Sequence, residues 1–269
     1  MALVALSATL NPGKQVTSIF KSLGLFGDTF HIVWLSNECK NTHMIVQPLE
    51  DSLSGNSFPQ LLEYIQPGRK TIIHCHTLDQ VYRVFCYLFT MLPVTCDRLR
   101  AIRMYHSIFP DAYNLETIDH IDSDPYLWII IATIAFANRI NSKCLLDSIS
   151  LGIWDTMSRL LQEKGRVGWL LHLISRGIVL VQKTAFATAK KLLIGRIFLG
   201  LNKLLICIEI DKDPNARETM EPTKARFLVA ADEGGCVIIP ICKDYQCPPT
   251  NITCLPCAEA GQLRCSSCL

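Results

Sequence analysis

A polar run at residues 162–169 carries side chains of the types that phosphate chemistry uses. It is Gln-Glu-Lys-Gly-Arg-Val-Gly-Trp, and it places the amide of Gln162 and the guanidinium of Arg166 beside Gly165 and Gly168. A guanidinium stabilises charge on a phosphoryl group in transfer, and glycine lets the backbone approach a ligand closely. On this pattern alone, a helix that ends at a glycine accounts for the run equally well.

The other parts of a nucleotide site are missing from the sequence. No segment has the form G-x-x-x-x-G-K-[ST], and no acid pair follows an apolar strand. In nucleotide-hydrolysing proteins that loop cradles the phosphates, and the acids hold magnesium. A nucleotide that meets Gln162 and Arg166 would therefore need both elements from another domain.

Four further segments precede this run in a recognisable order. They are residues 6–10 (LSATL), 71–77 (TIIHCHT), 103–107 (RMYHS) and 129–141 (IIIATIAFANRIN). Together the five segments resemble the motifs of RecQ-type superfamily-two DNA helicases, from the third motif onward. The resemblance implies a truncated chain that keeps the second RecA-like lobe and lacks the Walker A and DEAH motifs. The full family couples ATP hydrolysis to 3′-to-5′ movement on DNA.

The resemblance also assigns roles to particular residues. Gln162 and Arg166 would be the catalytic contacts to ATP and its magnesium, and Gly165, Gly168 and Asn141 would lie beside the nucleotide. The resemblance also implies six residues that contact nucleic acid: His76, Thr77, His106, Ser107, Thr133 and Arg139. Contacts of this kind would position phosphates rather than read bases.

Two departures from the family pattern bear on activity. Trp169 stands where the family has a second arginine, which reaches the γ-phosphate, and an indole supplies no charge. Arg139 and Asn141 stand where the family has a glycine and an acid. We therefore expect the chain to be unable to hydrolyse ATP alone. For residues 133–141, a buried strand followed by a polar loop is an equally good interpretation.

Apolar runs alternate with helical patterns from residue 71 to residue 201. Continuous apolar strands separated by helices are typical of the α/β class, with a parallel sheet covered by helices on both faces as in a RecA-like lobe. Thr77 and Gln80 have the spacing of a capping box, which predicts a helix start. The predicted strands are 31–35, 44–47, 71–75, 101–105, 128–133, 148–151 and 177–182, and the predicted helices are 11–24, 58–65, 77–92, 111–122, 155–164 and 184–201.

Seven of the 13 cysteines fall in residues 236–269, which we predict to be an irregular tail. The spacing of two C-x-x-C pairs suits tetrahedral zinc, which would stabilise a segment with little apolar surface. Free thiols or disulfides fit the spacing as well, and seven cysteines allow several sets of four. The predicted zinc ligands are Cys254, Cys257, Cys265 and Cys268.

The composition bears on whether the chain folds, how it could bind nucleic acid and where it is located. With 49% hydrophobic residues, 19% charged residues and a net charge of +2, a packed core is expected, and nucleic-acid binding must come from a local patch. No signal peptide and no membrane span are expected, and the scattered cysteines favour a reducing compartment. Together with the resemblance, this implies a nuclear or otherwise intracellular location. His74 and His76 alternate on a strand end, but without a further ligand they predict no metal site.

These patterns divide the chain into five parts. The expected partners are DNA, single-stranded or forked, and a separate chain that supplies the first motor lobe. The alternative is a non-enzymatic RecA-like scaffold whose zinc tail binds a protein. The parts are a first-lobe remnant (1–30), an inter-lobe linker (31–66), the second lobe (67–208), a second linker (209–235) and the tail (236–269).

Overall fold

The structure, a computed structural model, describes residues 14–25, 30–31, 41–93, 97–133, 142–170, 172–201, 220–245 and 265. Within these residues the strands form one parallel sheet. Its order is β1-β6-β5-β2-β4-β3, and every neighbouring pair is parallel. The strands are β1 (Thr42–Leu49), β2 (Lys70–His74), β3 (Ile102–Tyr105), β4 (Ile129–Ala132), β5 (Leu145–Leu151) and β6 (Ser175–Gln182).

Helices cover both faces of this sheet. One face, which includes Ile73, packs against α2 and α3, and the other packs against α5 around Ile72 and against α6 to α9 around Val179. The α/β class with a parallel sheet covered on both faces is therefore confirmed. The helices are α1 (Lys14–Ser22), α2 (Pro59–Tyr64), α3 (Leu78–Met91), α4 (Arg98–Ala101), α5 (Asp111–Ser123), α6 (Met157–Lys164), α7 (Lys183–Leu201), α8 (Pro222–Asp232) and α9 (Ile238–Asp244).

Burial on both faces explains why the central strands are continuous apolar runs. In β4, Ile129, Ile130 and Ile131 are all buried, because successive side chains point to opposite faces and each face carries helices. The predicted helix start at Thr77 is observed, although the reciprocal bond of the capping box goes to the residue before the cap. Thr77 accepts a hydrogen bond from the backbone N–H of Gln80 at 3.2 Å, while the Gln80 side chain accepts from the N–H of His76 at 2.8 Å.

Both segments predicted as linkers contain elements that pack with the sheet. Residues 31–66 include β1, which pairs with β6 along its whole length because Met44 and Val46 bury one face of the strand. Residues 209–235 include α8, whose Phe227 and Leu228 are fully buried against the helices of the second face. The predicted strand 44–47 falls within β1, whereas α8 was not predicted.

The tail predicted as irregular begins with a helix, α9, which buries Ile241 and Cys242. Residues 246–264 and 266–269 lie outside the described residues, as do the first-lobe remnant's residues 1–13 with the LSATL segment. Among the helices in the described ranges, none combines the length and the apolar character that a bilayer crossing requires.

Candidate functional site

A topological switch point lies between the neighbouring strands β2 and β5. The chain leaves β2 toward α3 on one face of the sheet, and leaves β5 toward α6 on the other face. In open parallel sheets, ligands bind outside the carboxyl ends of the strands at such a point. The loops that follow the strands at this edge therefore form the candidate site.

The loops after β2 and β5 meet through a stacked ring pair. The rings of His76 and Trp154 are nearly parallel, at 6°, with their centroids 4.0 Å apart. Gly152 lies beneath them at φ +91°, and a Cβ there would stand 3.2 Å from His76 Nε2. Burial lowers the pKa of His76, so the imidazole is neutral at pH 7. The capping box and this stack hold His76 and the exposed Thr77 at the start of α3.

The loops after β3 and β4 place the next predicted residues at the same edge. The buried amide of Asn114 donates to the carbonyl oxygen of His106 at 3.0 Å, so the loop is held against α5, and Ser107 is exposed at its tip. Thr133 follows β4 directly and donates its N–H to the carbonyl oxygen of Tyr105 at 3.3 Å. Since the ends of β2, β4 and β3 are neighbours, these loops span roughly 10 Å. The predicted Arg139 and Asn141 lie outside the described residues.

The run 162–169 lies at the end of α6. Gly165 is the C-cap and donates its N–H to Leu161 at 2.8 Å, so the glycine does end a helix. Gln162 and Arg166 are half-buried, and burial lowers the pKa of Arg166. Trp169, which replaces the family's second arginine, is 52% exposed.

Gly168 is required by the packing of its own turn. Its φ is +82°, and a Cβ would come within 2.7 Å of Thr42 Oγ1 and 2.8 Å of Ser175 Oγ. The Asn41 amide donates to the Gly168 carbonyl oxygen at 3.0 Å. These partners belong to the amino ends of β1 and β6, so Gly168 lies at the opposite edge of the sheet from His76.

A buried polar network under α6 was not predicted. Glu163 is fully buried, and its carboxylate accepts hydrogen bonds from Ser150 Oγ and from the indole N–H of Trp154. Lys164 is also buried and donates to the carbonyl oxygens of Ser148 and Ile178, each at 2.8 Å. Burial raises the pKa of Glu163 to about 7 and lowers the pKa of Lys164 to about 7.

His74 completes this network. Its Nδ1 lies 3.7 Å from Glu163 Oε1, and the ring is fully buried. Burial, followed by the positive charges of Lys164 and Arg166, lowers the pKa of His74 well below its usual range. The ring is therefore neutral, and its contact with Glu163 is not an ion pair. Through Trp154, the network connects the end of α6 to His76.

Two cysteines distant in sequence meet in the apolar cluster of the second face. The Sγ atoms of Cys236 and Cys265 are 4.0 Å apart, and both side chains are buried. A disulfide needs about 2.05 Å, whereas two thiolates on one tetrahedral zinc stand roughly 3.8 Å apart. The pair is therefore not a disulfide, and its separation is that of a hydrogen bond between two thiols. Within the described residues, no group of three or more metal-binding side chains converges, and Cys254, Cys257 and Cys268 lie outside them.

Comparison with known proteins gives likenesses of structure only. The chain matches no family model and no curated protein. It is similar to S. cerevisiae Dbp5 bound to RNA and ADP-BeF3 (TM-score 0.49, 11% identity, 62% of this chain, 43% of that chain). It is also similar to the C-terminal domain of the DEAD-box protein Dbp5 (TM-score 0.43, 12% identity, 54% of this chain, 78% of that chain). A third similar structure is the yeast DEAD-box splicing factor Prp28 (TM-score 0.43, 14% identity, 61% of this chain, 33% of that chain).

This chain spans less than half of the first and third of these structures. At such identities, and with TM-scores below 0.5, the likenesses establish neither a family nor an activity. Dbp5 and Prp28 are DEAD-box proteins, whereas the sequence motifs of this chain resemble the RecQ type.

Proposed function

We propose that this chain is the second RecA-like lobe of a RecQ-type 3′-to-5′ DNA helicase, contributing nucleic-acid contacts and one side of an ATP site. The observation that carries the proposal is the shared position of His76, Thr77, His106, Ser107 and Thr133. Their loops follow β2, β3 and β4, which are neighbours in the sheet although two of the loops are far apart in sequence.

The chemistry of this edge suits the phosphates of a single strand. Thr77 and Ser107 are exposed hydroxyls, and Thr77 keeps its own O–H for donation while its oxygen caps α3. The first N–H groups of α3 point to the same edge, and helix amino ends attract anions. Neutral donors of this kind position a phosphate backbone without reading its sequence.

The ATP side of the proposal rests on Gln162 and Arg166. A half-buried guanidinium at the end of α6 suits charge that develops on a transferring phosphoryl group. Gly165 and Asn141 would flank the nucleotide, whereas the approach of Gly168 to Thr42 and Ser175 already accounts for that glycine. The phosphate loop and the magnesium-binding acids would come from a separate first lobe, because the sequence contains neither. With Trp169 in place of the second arginine, we propose that this chain does not hydrolyse ATP alone.

Binding of single-stranded DNA tests the proposal. We expect an oligothymidine to bind with a Kd that rises with salt, since log K falls with log salt by about 0.7 for each phosphate contact. Ser107→Glu adds a negative charge at the proposed edge and is expected to weaken binding by about 3- to 10-fold. Fluorescence anisotropy at several salt concentrations measures both effects.

Ser123→Glu is the matched control, because Ser123 is exposed at the opposite end of α5. It should leave the Kd unchanged. A Kd that does not depend on salt, or equal losses for both variants, would contradict phosphate contacts at this edge. ATP hydrolysis that DNA stimulates in the purified chain would contradict the incomplete ATP site.

A second candidate function is a scaffold whose zinc tail binds a protein partner, in which the neighbouring thiols of Cys236 and Cys265 would supply two of the four ligands. We expect the purified protein to carry one zinc ion, and Cys265→Ser to lose it. Cys86→Ser, which changes an exposed thiol on α3, should retain the metal. Metal analysis by mass spectrometry decides between the outcomes, and equal zinc in both variants would exclude Cys265 as a ligand.

A further inference from the structure

A ladder of rings extends from the end of β3. His106 stacks on Phe109 with centroids 4.0 Å apart at 19°, and Phe109 lies 4.6 Å from Tyr113 at 43°. The guanidinium of Arg103 covers the Tyr113 ring, 4.6 Å from its centroid. We call these three rings with Arg103 the aromatic ladder.

Hydrogen bonds hold the ladder rigid. The Asn114 amide donates to the carbonyl oxygens of His106 at 3.0 Å and of Phe109 at 3.3 Å. The Phe109 N–H closes the turn on His106 at 3.2 Å. At the other end, the guanidinium of Arg103 donates a hydrogen bond to the carboxylate of Glu116 at 3.0 Å. The rings therefore lose little further conformational entropy when a ligand stacks on them.

The ladder is not part of the apolar core. None of its rings belongs to the three clusters that pack the described part of the sheet, and all three are only half-buried. Next to it, Ile108 is 70% exposed at the loop tip. The fold thus keeps an ordered, partly open aromatic surface that the packing of the sheet does not require.

The ladder begins at the edge proposed for phosphate contacts. His106 is its first ring, and Ser107 follows His106 in the chain. Tyr105, which precedes His106, accepts a hydrogen bond from the N–H of Thr133 at 3.3 Å. A strand whose phosphates follow this edge would bring its bases within reach of the rings. Aromatic side chains stack on unpaired bases with little sequence preference, because every base has a π-face.

We infer that the aromatic ladder is a stacking site for unpaired nucleobases, entered at His106. This inference rests on the proposed function and extends it, because the contacts proposed there reach only the phosphates and not the bases. The site takes single strands, because the bases of a duplex are already stacked on one another.

The test compares two strands that share a backbone. Full-length protein is titrated with an oligothymidine of about 15 nucleotides and with an abasic strand of the same length. The thymidine strand is expected to bind about tenfold more tightly, the result of stacking one base. Phe109→Leu removes the π-face at similar volume and should bring this ratio close to one, while the Kd for the abasic strand stays unchanged.

Leu115→Ala is the control, because Leu115 is exposed on α5 outside the ladder and should preserve the ratio. Equal binding of both strands by the natural protein overturns the stacking site and leaves the phosphate contacts standing. Equal weakening of both strands by Phe109→Leu overturns it as well. Failure of both strands to bind overturns the proposed function together with this inference.

Discussion

Lys164→Met is expected to destabilise the protein by about 3–5 kcal/mol, because it leaves the buried carboxylate of Glu163 without its neighbouring positive charge. The ammonium group is surrounded by protein and donates to Ser148 and Ile178. Replacing it with an apolar side chain of similar length keeps the volume and removes the charge and both hydrogen bonds. Urea unfolding followed by circular dichroism gives the free energy of unfolding.

The double variant Glu163→Gln/Lys164→Met separates charge from packing. Removing both members of a buried pair is often nearly neutral, so it should recover most of the loss. Lys191→Met is the surface control, since Lys191 is exposed on α7, and should stay within about 0.5 kcal/mol of the natural protein. A loss below about 1 kcal/mol for Lys164→Met would mean that the pair does not carry opposite charges in the folded protein.

The same comparison has a defined dependence on pH. The folded pKa of Glu163 is raised from 4.5 to about 7, so its contribution to stability is full below 4.5 and is lost as pH rises to 7. The folded pKa of Lys164 is lowered from 10.5 to about 7, so its contribution is full above 10.5 and is lost as pH falls to 7. The stability of the natural protein relative to the double variant should therefore be lowest near pH 7.

Gly168→Ala is expected to cost about 2–5 kcal/mol. Part of this cost, about 1–2 kcal/mol, is the strain of a side chain at φ +82°. A further 1–3 kcal/mol, roughly, comes from displacing Thr42 and Ser175, whose buried hydroxyls hydrogen-bond each other at 2.7 Å. The free energy of unfolding in urea measures the sum.

Gly68→Ala isolates the backbone part of that cost. Gly68 has the same φ of +82°, but a Cβ there would meet nothing within 4 Å. It should lose only the strain energy, about 1–2 kcal/mol. If the two variants lose the same amount, the close approach of Gly168 to Thr42 and Ser175 does not limit that turn.

Most of the sheet could be predicted because the burial of its central strands is visible within each short segment of sequence. A strand such as β4 is buried on both faces, so its sequence is a continuous apolar run, and the helix after β2 carries its own capping box. The pattern of residues 44–47 predicts only the middle of β1, and α8 shows no such pattern. α8 buries one apolar face against elements that are distant in sequence, and its polar residues conceal that face.

The buried pair could have been found in part. Met157, Leu160 and Lys164 follow the helical spacing i, i+3, i+7, and this period places Lys164 on the buried face of α6. A charged residue on that face is a signal for a buried partner. The identity of the partners Ser148 and Ile178, and the meeting of Cys236 with Cys265, depend on tertiary placement that spacing does not encode.

Trp154 belongs to two environments at once. Its indole N–H is bound by Glu163 inside the molecule, and its ring lies flat against His76 at the edge. Because one rigid ring makes both contacts, the position of His76 at the edge of the sheet depends on the buried residue Glu163. A change that removes the Glu163 carboxylate frees the indole N–H, and His76 then stacks on a ring that is no longer held by the interior.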